Sequence, residues 1–318
     1  MFKIAIVGAG IIAKNHKNAV VAHPDTELVA VCDVVEERAV ELANGTGART
    51  YADYKVMAEN EQFDAVILNL PHFLHKEVSV YFLERKVSVL VEKPMAITVE
   101  ECKEMDEAAK RNGVKLAVGH LQRYYDCYQE IKKIIEDGRY GELCSVTEVR
   151  NVDYFNGRPQ WFLSKKLAGG GIVMNYCAHT LDKFFYLCGT DVDKVCANIF
   201  NKMNDLDVES HAQVLLRMKN GVSASFSYSS SVNDYMYETY FYFTNGVARV
   251  KSGRYLELSQ KGKPFERMEL DYARDPMDDQ FKEFIKLLKG ENANIVGYEI
   301  GAKVISVIEQ IFADGEAK

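Results

Sequence analysis

The sequence lacks several features that define particular classes of protein. None of its apolar runs approaches the ~18 residues that a membrane-spanning helix needs. The first residues, MFKIAIV, contain one lysine and no cleavage site, so we expect neither secretion nor membrane insertion. No run rich in lysine and arginine appears, and 39 basic against 46 acidic residues give a formal charge of −7. We therefore expect no nucleic-acid partner.

Cysteine pairs with the spacing of metal ligands are also absent. The chain has no C-x-x-C, and its seven cysteines are widely spaced: Cys32, Cys102, Cys127, Cys144, Cys177, Cys188 and Cys196. That pattern is typical of reduced thiols and predicts a cytoplasmic protein. His72 and His75 form H-x-x-H, but no thiol or carboxylate lies close in sequence to complete a site, so we predict no metal.

The chain has no internal repeat and no linker rich in proline and glycine, so its domains must be located from changes in pattern. Its 318 residues, 47% of them hydrophobic, suffice for two ordinary cores. Up to about residue 120, short apolar runs alternate with amphipathic stretches, which predicts βαβ units and a parallel sheet. The predicted strands are 3–7, 27–32, 65–70, 87–91 and 115–119, and the predicted helices are 11–20, 36–43, 76–84 and 98–111.

The pattern changes after about residue 140, where long segments alternate polar and apolar residues. These segments are 144–154, 211–218, 223–230 and 238–244, and they predict an antiparallel sheet. Asn-Gly pairs at 220–221 and 245–246 favour hairpin turns. Helices at 278–288 and 298–313 are expected to close this part of the chain. We predict an α/β protein with a doubly wound parallel sheet in residues 1–120 and a second domain in residues 121–318.

The first predicted strand leads directly into GAGIIA, residues 8–13, which has the form G-x-G-x-x-A. In such a loop the first glycine makes the turn and the second lets the backbone approach a pyrophosphate. The following helix then directs its free N–H groups toward the phosphates. The loop follows a strand and opens a helix, which favours a dinucleotide site over a mere tight turn. The predicted cofactor contacts in this loop are Gly8, Gly10, Ile11 and Ile12.

Asp33 ends the second predicted strand, about 20 residues beyond Gly10, where a dinucleotide site needs a carboxylate for the adenosine ribose. A carboxylate there would repel the 2′-phosphate of NADP, so we predict NAD rather than NADP as the cofactor. The alternative is that Asp33 only caps the next helix.

Polar residues form a cluster at the end of each of two other predicted strands. One cluster, 69–72, stands at the end of strand 65–70, and the other, Glu92 and Lys93, follows strand 87–91. Ligands of open parallel sheets bind beyond the carboxyl ends of the strands. Both clusters should therefore lie at the edge that holds the cofactor, although a surface ion pair of Glu92 with Lys93 is the alternative. The predicted cofactor contacts at this edge are Asn69, Pro71, His72, His75, Glu92 and Lys93.

A run of three glycines, 169–171, precedes a predicted helix in the second domain. The run predicts a tight turn or a close approach of the backbone to another group. Asn175, His179 and Asp182 stand at positions i, i+4 and i+7, so they share one face of that helix. A histidine on such a face is either a structural residue or part of a site, and the neighbouring asparagine favours a site.

Taken in order, G-x-G-x-x-A, the acid after the second strand, Glu92-Lys93-Pro94 and G-G-G-x-x-x-N-x-x-x-H-x-x-D resemble the Gfo/Idh/MocA oxidoreductase family. Further similarity lies at residues 118–124, 138–142 and 281–284. The resemblance implies a Rossmann domain followed by an α/β domain with a large, mostly antiparallel open sheet. It also implies NAD(P)-dependent oxidation or reduction of sugars, inositols, nucleotide sugars and related alcohols or ketones.

By the same resemblance, Lys93 matches the family's lysine and His179 its acid/base histidine. Many members have aspartate where this chain has Asn175, so His179 lacks a charged partner there, and Asn175 is expected to contact substrate directly. The weaker candidates for the substrate pocket are Arg123, Tyr124, Tyr154, Arg158 and Trp161. For each of these, packing or surface exposure is the alternative.

Two rival functions remain. A dihydrodiol or carbonyl reductase of a non-sugar substrate would prefer tyrosine at position 179, and a non-catalytic NAD-binding sensor would not need both Lys93 and His179. Tyr240, Phe241, Tyr242 and Phe243 place aromatic rings on both faces of one strand. This predicts a homodimer or homotetramer that forms through the sheet of the second domain.

Overall fold

The computed structural model describes residues 1–202, 206–230 and 235–316. The chain divides into two compact units. One contains Met1–His120 and Asp275–Ala302, and the other contains Leu121–Arg274 and the chain from Lys303 onward. The boundary at residue 120 is the one that the sequence pattern predicts. The assignment of all later residues to the second domain differs from the structure, because 275–302 packs with the first unit.

The first unit is built on a parallel sheet of six strands in the order β3-β2-β1-β4-β5-β6, with the order reversing between β1 and β4. Its strands are β1 (Phe2–Val7), β2 (Thr26–Cys32), β3 (Arg49–Tyr51), β4 (Ala65–Leu68), β5 (Ser88–Glu92) and β6 (Leu116–Gly119). Its helices before residue 120 are α1 (Ala13–Ala22), α2 (Glu36–Ala43), α3 (Tyr54–Asn60), α4 (His72–Leu83) and α5 (Val99–Asn112). This arrangement confirms the predicted doubly wound sheet.

Burial explains why the central strands carry no polar residues in their interiors. All four residues of β4 are buried, as are the last four of β1 and the first four of β5, because helices cover both faces of the sheet. The helix α5 begins as the sequence predicts, since Thr98 and Glu101 form a capping box.

Some boundaries in the first unit differ from the sequence predictions. The helix α1 begins at Ala13 rather than Ile11, and α4 begins at His72 rather than Lys76. The sequence analysis missed β3 and α3 altogether. The three residues of β3 are too few to show an alternating pattern, and α3 buries only Met57 of its seven residues, so it has no apolar face to recognise.

A helix from late in the chain completes the first unit. The helix α9 (Pro276–Lys289) packs against α1, where the rings of Phe281 and His23 meet edge to face with centroids 5.8 Å apart. Beyond α9, Val296 forms an isolated antiparallel bridge with Val118 of β6. These contacts are why 275–302 belongs with the parallel sheet.

The second unit is built on a sheet of eight strands in the order β14-β13-β12-β11-β7-β10-β9-β8. All its neighbouring pairs are antiparallel except β7 with β10. Its strands are β7 (Leu143–Asn151), β8 (Val192–Phe200), β9 (His211–Met218), β10 (Ser223–Ser229), β11 (Met236–Phe243), β12 (Gly246–Lys251), β13 (Tyr255–Gln260) and β14 (Glu266–Arg267). The predicted large, mostly antiparallel sheet and both Asn-Gly hairpins are confirmed.

The helices of the second unit are α6 (Asp126–Asp137), α7 (Lys165–Ala168), α8 (Ile172–Cys188) and the part of α10 (Tyr298–Glu316) from Lys303 onward. Side chains of α6 and α8 pack on the sheet, and α10 contacts its edge strand β8. The helix α8 packs against α6, β9 and β10. Alternate residues of β7, namely Val146, Glu148 and Arg150, are buried beneath this helical layer. Within the described ranges, no helix has the length and apolar character to cross a membrane.

Candidate active site

The loop between β1 and α1 has a backbone that only glycine can adopt at its first position. Gly8 has φ +91°, and a Cβ atom there would lie 2.3 Å from the carbonyl oxygen of Asn69. At Gly10, by contrast, nothing lies within 4 Å of the position where a Cβ would stand. The next residue, Ile11, is fully exposed. The loop is therefore packed tightly against β4 at Gly8 and open at Gly10 and Ile11, which fits a phosphate that approaches the backbone.

Asp33 fixes this loop to the end of β2. Its Oδ2 accepts a hydrogen bond of 2.7 Å from the N–H of Ala9, and its Oδ1 accepts one of 2.9 Å from the N–H of Val35. The helix α2 starts after Val35 and has no side-chain cap, so Asp33 is not the capping residue of that helix. Each carboxylate oxygen has a second lone pair, so Asp33 retains the capacity to accept ribose hydroxyl groups.

Asn69 and Pro71 connect β4 to α4 at the same edge of the sheet. The N–H of Asn69 donates to the carbonyl of Val7, and its side-chain nitrogen lies 3.4 Å from the carbonyl of Gly8. Its Oδ1 is buried and accepts no hydrogen bond from the described part of the chain. Pro71 immediately precedes α4, and His72 is therefore the first residue of a helix rather than part of a loop.

His75 is completely buried one helical turn further along α4. Its Nδ1 lies 2.8 Å from the carbonyl oxygen of Pro94, and its Nε2 lies 2.8 Å from that of Leu70. Burial lowers the pKa of His75 below its ordinary value, although the two carbonyl groups favour the protonated ring. Because both ring nitrogens are engaged, the ring joins the loops after β4 and β5, which favours a positioning role over a direct cofactor contact.

Glu92 ends β5 and pairs with a residue that the sequence analysis did not single out. Its Oε1 lies 2.9 Å from Nε2 of His16, which is almost fully buried in α1. Burial would raise the pKa of Glu92, but His16 and Lys93 more than offset this and lower the pKa below its usual value. Glu92 therefore pairs with the helix that follows the phosphate loop, and the charge of Lys93 adds to the stabilisation of its carboxylate.

Lys93 follows β5 directly and is half-buried. Its backbone N–H donates a hydrogen bond of 3.1 Å to Oε2 of Glu92, and its peptide bond to Pro94 is cis. The strand register pairs Glu92 with Gly119 of β6, where a Cβ atom would come within 3.1 Å of Oε1. Lys93 is thus held at the same strand-end edge as the phosphate loop.

In the second unit, the glycine run brings the backbone against a buried carboxylate. A Cβ atom on Gly171 would lie 2.3 Å from the carbonyl oxygen of Glu209. The carboxylate of Glu209 accepts hydrogen bonds from the N–H groups of Gly171 and Val173 at 2.8–2.9 Å, so it caps the start of α8. Burial raises the pKa of Glu209, and these N–H groups oppose that rise. The predicted close approach is confirmed, and the group that approaches is Glu209.

The helix α8 carries Asn175 and His179 one turn apart, as predicted. Asn175 is almost completely buried, and His179 is half-buried. Asn175 forms a side-chain hydrogen bond with Tyr154, whose hydroxyl also donates to the carbonyl of Gly171 at 3.1 Å. Asn175 is thus linked through Tyr154 to the backbone at the start of α8.

Tyr154, Arg158 and Tyr176 form a compact cluster beside Asn175. The guanidinium carbon of Arg158 lies 4.1 Å from the centre of the Tyr154 ring, and its Nη2 donates a hydrogen bond of 3.1 Å to the hydroxyl of Tyr176. The Trp161 ring stacks on Phe162, which in turn lies under Arg158 at 4.8 Å. The structure thus brings together three predicted substrate-pocket residues, Tyr154, Arg158 and Asn175, and links Trp161 to them through Phe162.

The other two predicted pocket residues, Arg123 and Tyr124, are both buried. Arg123 donates from Nε and Nη2 to the two carboxylate oxygens of Asp182 in α8. Because both oxygens of Asp182 receive its N–H groups, Arg123 orients α8, which favours a structural role over a substrate contact.

A buried charged network in the second unit was missed by the sequence analysis. Glu148 of β7 accepts hydrogen bonds from four side chains: Lys183 and Thr180 of α8, Tyr228 of β10 and Thr239 of β11. Burial would raise the pKa of Glu148, but Lys183 and Arg150 lower it below the usual value. The one available indication was the pair Glu148 and Arg150, two residues apart on one face of a strand.

Comparison with known families identifies the chain. Residues 2–120 match the model described as an oxidoreductase family with an NAD-binding Rossmann fold, so the phosphate loop belongs to an NAD-binding domain of that class. Residues 128–249 match the GFO/IDH/MocA C-terminal domain. The chain belongs to the GFO/IDH/MocA family, as its motifs indicated, and NAD is its cofactor.

Two curated relatives and one solved structure illustrate the similarity. D-glucoside 3-dehydrogenase of Escherichia coli (strain K12) is 34% identical over 206 residues, which are 63% of this chain and 58% of that protein. The 1-carboxy-3-chloro-3,4-dihydroxycyclo hexa-1,5-diene dehydrogenase of Comamonas testosteroni is 30% identical over 188 residues, 59% of this chain and 47% of that protein. The chain thus matches about half the length of these relatives.

Levoglucosan dehydrogenase, solved in complex with NADH and L-sorbose, superposes with a TM-score of 0.89 at 19% identity and covers 99% of this chain and 97% of that one. At this identity the superposition shows a shared fold.

Proposed function

We propose that this protein is an NAD-dependent dehydrogenase that oxidises a secondary alcohol of a sugar, inositol or nucleotide-sugar-like substrate, or reduces the matching ketone. The observation that supports this most is the arrangement on α8. There, Asn175 and His179 lie one turn apart beside a cluster of aromatic and arginine side chains. In a family of NAD-binding oxidoreductases, such a face supplies groups that hold hydroxyls and a group that transfers a proton.

In the oxidative direction, the hydroxyl proton of the substrate passes to His179 while the carbon–oxygen single bond becomes a double bond. NAD supplies the hydride acceptor when it is bound. In the reductive direction, His179 returns the proton to the oxygen. A general base of this kind contributes roughly 10²- to 10⁴-fold to the rate.

Lys93 donates a hydrogen bond to the same substrate oxygen and stabilises the negative charge that develops on it. The short connection from β5 and the hydrogen bond of its N–H to Glu92 limit how far this residue can move. Asn175 is neutral and cannot stabilise a histidine cation as a carboxylate would. It therefore acts on the substrate, as a hydrogen-bond partner of a hydroxyl group.

The first unit holds NAD through the phosphate loop and the strand ends. Gly8, Gly10, Ile11 and Ile12 accommodate the pyrophosphate, Asp33 accepts the ribose hydroxyls, and Asn69 offers its buried Oδ1. Pro71, His72, His75 and Glu92 position this edge. The relatives support the substrate class, since one is named for a D-glucoside and another for a dihydroxylated ring.

The direct test is a panel of polyols, sugars and sugar derivatives assayed with NAD at the absorbance band of reduced nicotinamide, alongside a titration of NAD binding. With a substrate found, Lys93→Met should lower kcat by about 10²- to 10³-fold and leave NAD affinity nearly unchanged. The matched control is Lys115→Met, which removes an exposed lysine of the same unit and should change neither quantity.

Each outcome of this test favours one function. Turnover that depends on Lys93 supports the proposal, and full activity of Lys93→Met removes the lysine from the mechanism. Binding of NAD without turnover of any substrate would instead indicate a sensor. Turnover restricted to non-sugar carbonyl compounds would indicate the reductase.

We further propose that the protein is a cytoplasmic homodimer or homotetramer. All seven cysteines are free in the structure, which suits a reducing compartment. On the sheet of the second unit, Tyr242 is 39% exposed and Leu215 is 53% exposed, whereas Phe241 and Phe243 are buried. Light scattering should give a mass of two or four chains, and a monomer would contradict this part of the proposal.

A further inference from the structure

Arg150, near the end of β7, is a buried guanidinium whose hydrogen-bonding capacity is poorly used. The residue is only 5% exposed. Its Nε is buried and has no hydrogen-bond partner among residues 1–202, 206–230 and 235–316. A guanidinium carries five N–H donors, and a buried donor left without an acceptor costs about 1–3 kcal/mol. Such a residue in a polar cluster beside a candidate site requires an explanation.

The nearest carboxylate does not satisfy Arg150. Its Nη2 lies 4.0 Å from Oε1 of Glu148, which is too long for a hydrogen bond. Glu148 already accepts hydrogen bonds from Lys183 and three hydroxyl groups. Lys183 is the cation in hydrogen-bond contact with this carboxylate, so Glu148 attracts Arg150 only through the longer contact.

The other buried carboxylates among the described residues of the second unit have partners of their own. Asp182 accepts hydrogen bonds from Arg123, Glu130 accepts one from Arg139, and Glu209 accepts them from backbone N–H groups at the start of α8. None of these described carboxylates forms a hydrogen bond with the Arg150 guanidinium, whose one ion pair is the contact of 4.0 Å with Glu148. A guanidinium with unused donors can bind an anionic group, and its neighbours indicate where such a group would lie.

The position of Arg150 relates it to the candidate substrate pocket. Its guanidinium carbon lies 4.3 Å from the ring centre of Tyr176 and 3.8 Å from that of Tyr237. Tyr176 is the neighbour of Asn175 in α8, and its hydroxyl accepts a hydrogen bond from Arg158. These tyrosines hold the guanidinium beside the residues that we assign to the substrate.

We propose that Arg150 binds an anionic group of the substrate, a carboxylate or a phosphate, and so selects acidic sugars over neutral ones. This inference rests on the proposed dehydrogenase function. The planar guanidinium matches either group with two parallel hydrogen bonds, and such charge-assisted pairs are among the strongest in proteins. The substrate class is thereby narrowed to sugar acids and sugar phosphates.

The test compares three probes that share one ring: glucose, glucuronate and glucose 6-phosphate. We expect wild-type protein with NAD to prefer at least one acidic probe over glucose by 10-fold or more in kcat/KM, and the two acidic probes distinguish a carboxylate from a phosphate. Arg150→Met should abolish this preference, while Arg150→Lys should keep part of it because lysine retains the charge. The matched control Arg267→Met removes an exposed arginine of the same sheet and should leave the preference intact.

A second measurement separates failure of this inference from failure of the proposed function. Calorimetric titration of the NAD-bound protein with the same probes needs no turnover, and Arg150→Met should weaken binding of the acidic probe at least 10-fold. Turnover of glucose at least equal to that of both acids would overturn the role of Arg150 and leave the dehydrogenase intact. Equal binding of an acid by wild type and Arg150→Met, or no binding of either acid, would also overturn it. If Arg150→Met does not fold, the inference is tested by the wild-type preference for an acidic probe and by whether Arg150→Lys keeps only part of that preference.

Discussion

The two units of this protein hold their polar groups in different ways. At the strand ends of the first unit, Asp33 and Asn69 are bonded largely to backbone groups of neighbouring loops. In the second unit, Glu148 and Asp182 are bonded to side chains from separate elements. The first arrangement depends on backbone geometry, and the second depends on buried charges that must balance. The two units should therefore respond differently to substitution.

The largest effect should come from the buried charges of the second unit. Lys183→Met leaves the carboxylate of Glu148 buried without its cation, and breaking a buried pair in this way costs about 3–5 kcal/mol. Chemical denaturation should show a lower midpoint by a corresponding amount. Lys194→Met, an exposed lysine of the same unit, should change the free energy of unfolding by less than about 0.5 kcal/mol. A small effect at both positions would contradict the difference between the units.

A close backbone approach in the second unit occurs at Gly171. Gly171→Ala forces a methyl group against the carbonyl of Glu209 and should destabilise the protein by about 1–3 kcal/mol. The control is Gly297→Ala in the first unit, where a Cβ would approach nothing closer than 4.0 Å, so we expect little change. Thermal unfolding of both variants checks this, and equal melting temperatures would count against the close approach.

Substitution of Asp33 tests whether a carboxylate that is bonded mainly to backbone groups also selects NAD over NADP. Asp33→Ser removes the charge that repels a 2′-phosphate, so the ratio of kcat/KM for NAD to that for NADP should fall by about 10-fold or more, the effect of one like-charge contact. Asp106→Ser removes a carboxylate paired with Lys110 in α5 and should leave the ratio unchanged. An unchanged ratio in Asp33→Ser would remove the residue from cofactor selection.

The smallest effect concerns the pH dependence that Glu92 gives to the first unit. Its pKa in the folded protein lies below the ordinary value of 4.5, so the folded state binds fewer protons than the unfolded chain near that pH. The stability that Glu92 contributes is complete above pH 4.5 and is lost as the pH falls through the lowered pKa. Glu92→Gln should therefore unfold with a shallower pH dependence below 4.5, and an unchanged slope would show that the pair with His16 is unimportant.

The sequence signals for the cofactor side of the site are local. Gly8 needs its positive φ to form the turn, and Asp33 follows a strand at the spacing that the fold requires. Both constraints act within one βαβ unit, so a short stretch of sequence records them. The fold class followed from the same periodicity, which is set by burial on one or both faces of each strand.

The partners of each side chain could not be predicted, because they come from distant elements. Nothing near Glu148 or Arg150 in sequence indicates that α8 supplies Lys183 and Tyr176, or that β11 supplies Tyr237. In β7, Val149 lies on the less buried face, opposite to what its apolar character suggests. The pairing of Arg123 with Asp182 likewise depends on how α8 lies against the preceding segment.

The most direct test of the account is a double-mutant cycle on kcat/KM with Lys93→Met and His179→Asn, measured with the substrate that the panel identifies. If both side chains act on one substrate oxygen, each single variant should lose roughly 10²-fold or more, and the double variant should lose clearly less than the product of the two. Single variants that both retain wild-type activity, or losses that multiply fully, would contradict the claim that one oxygen is the shared target.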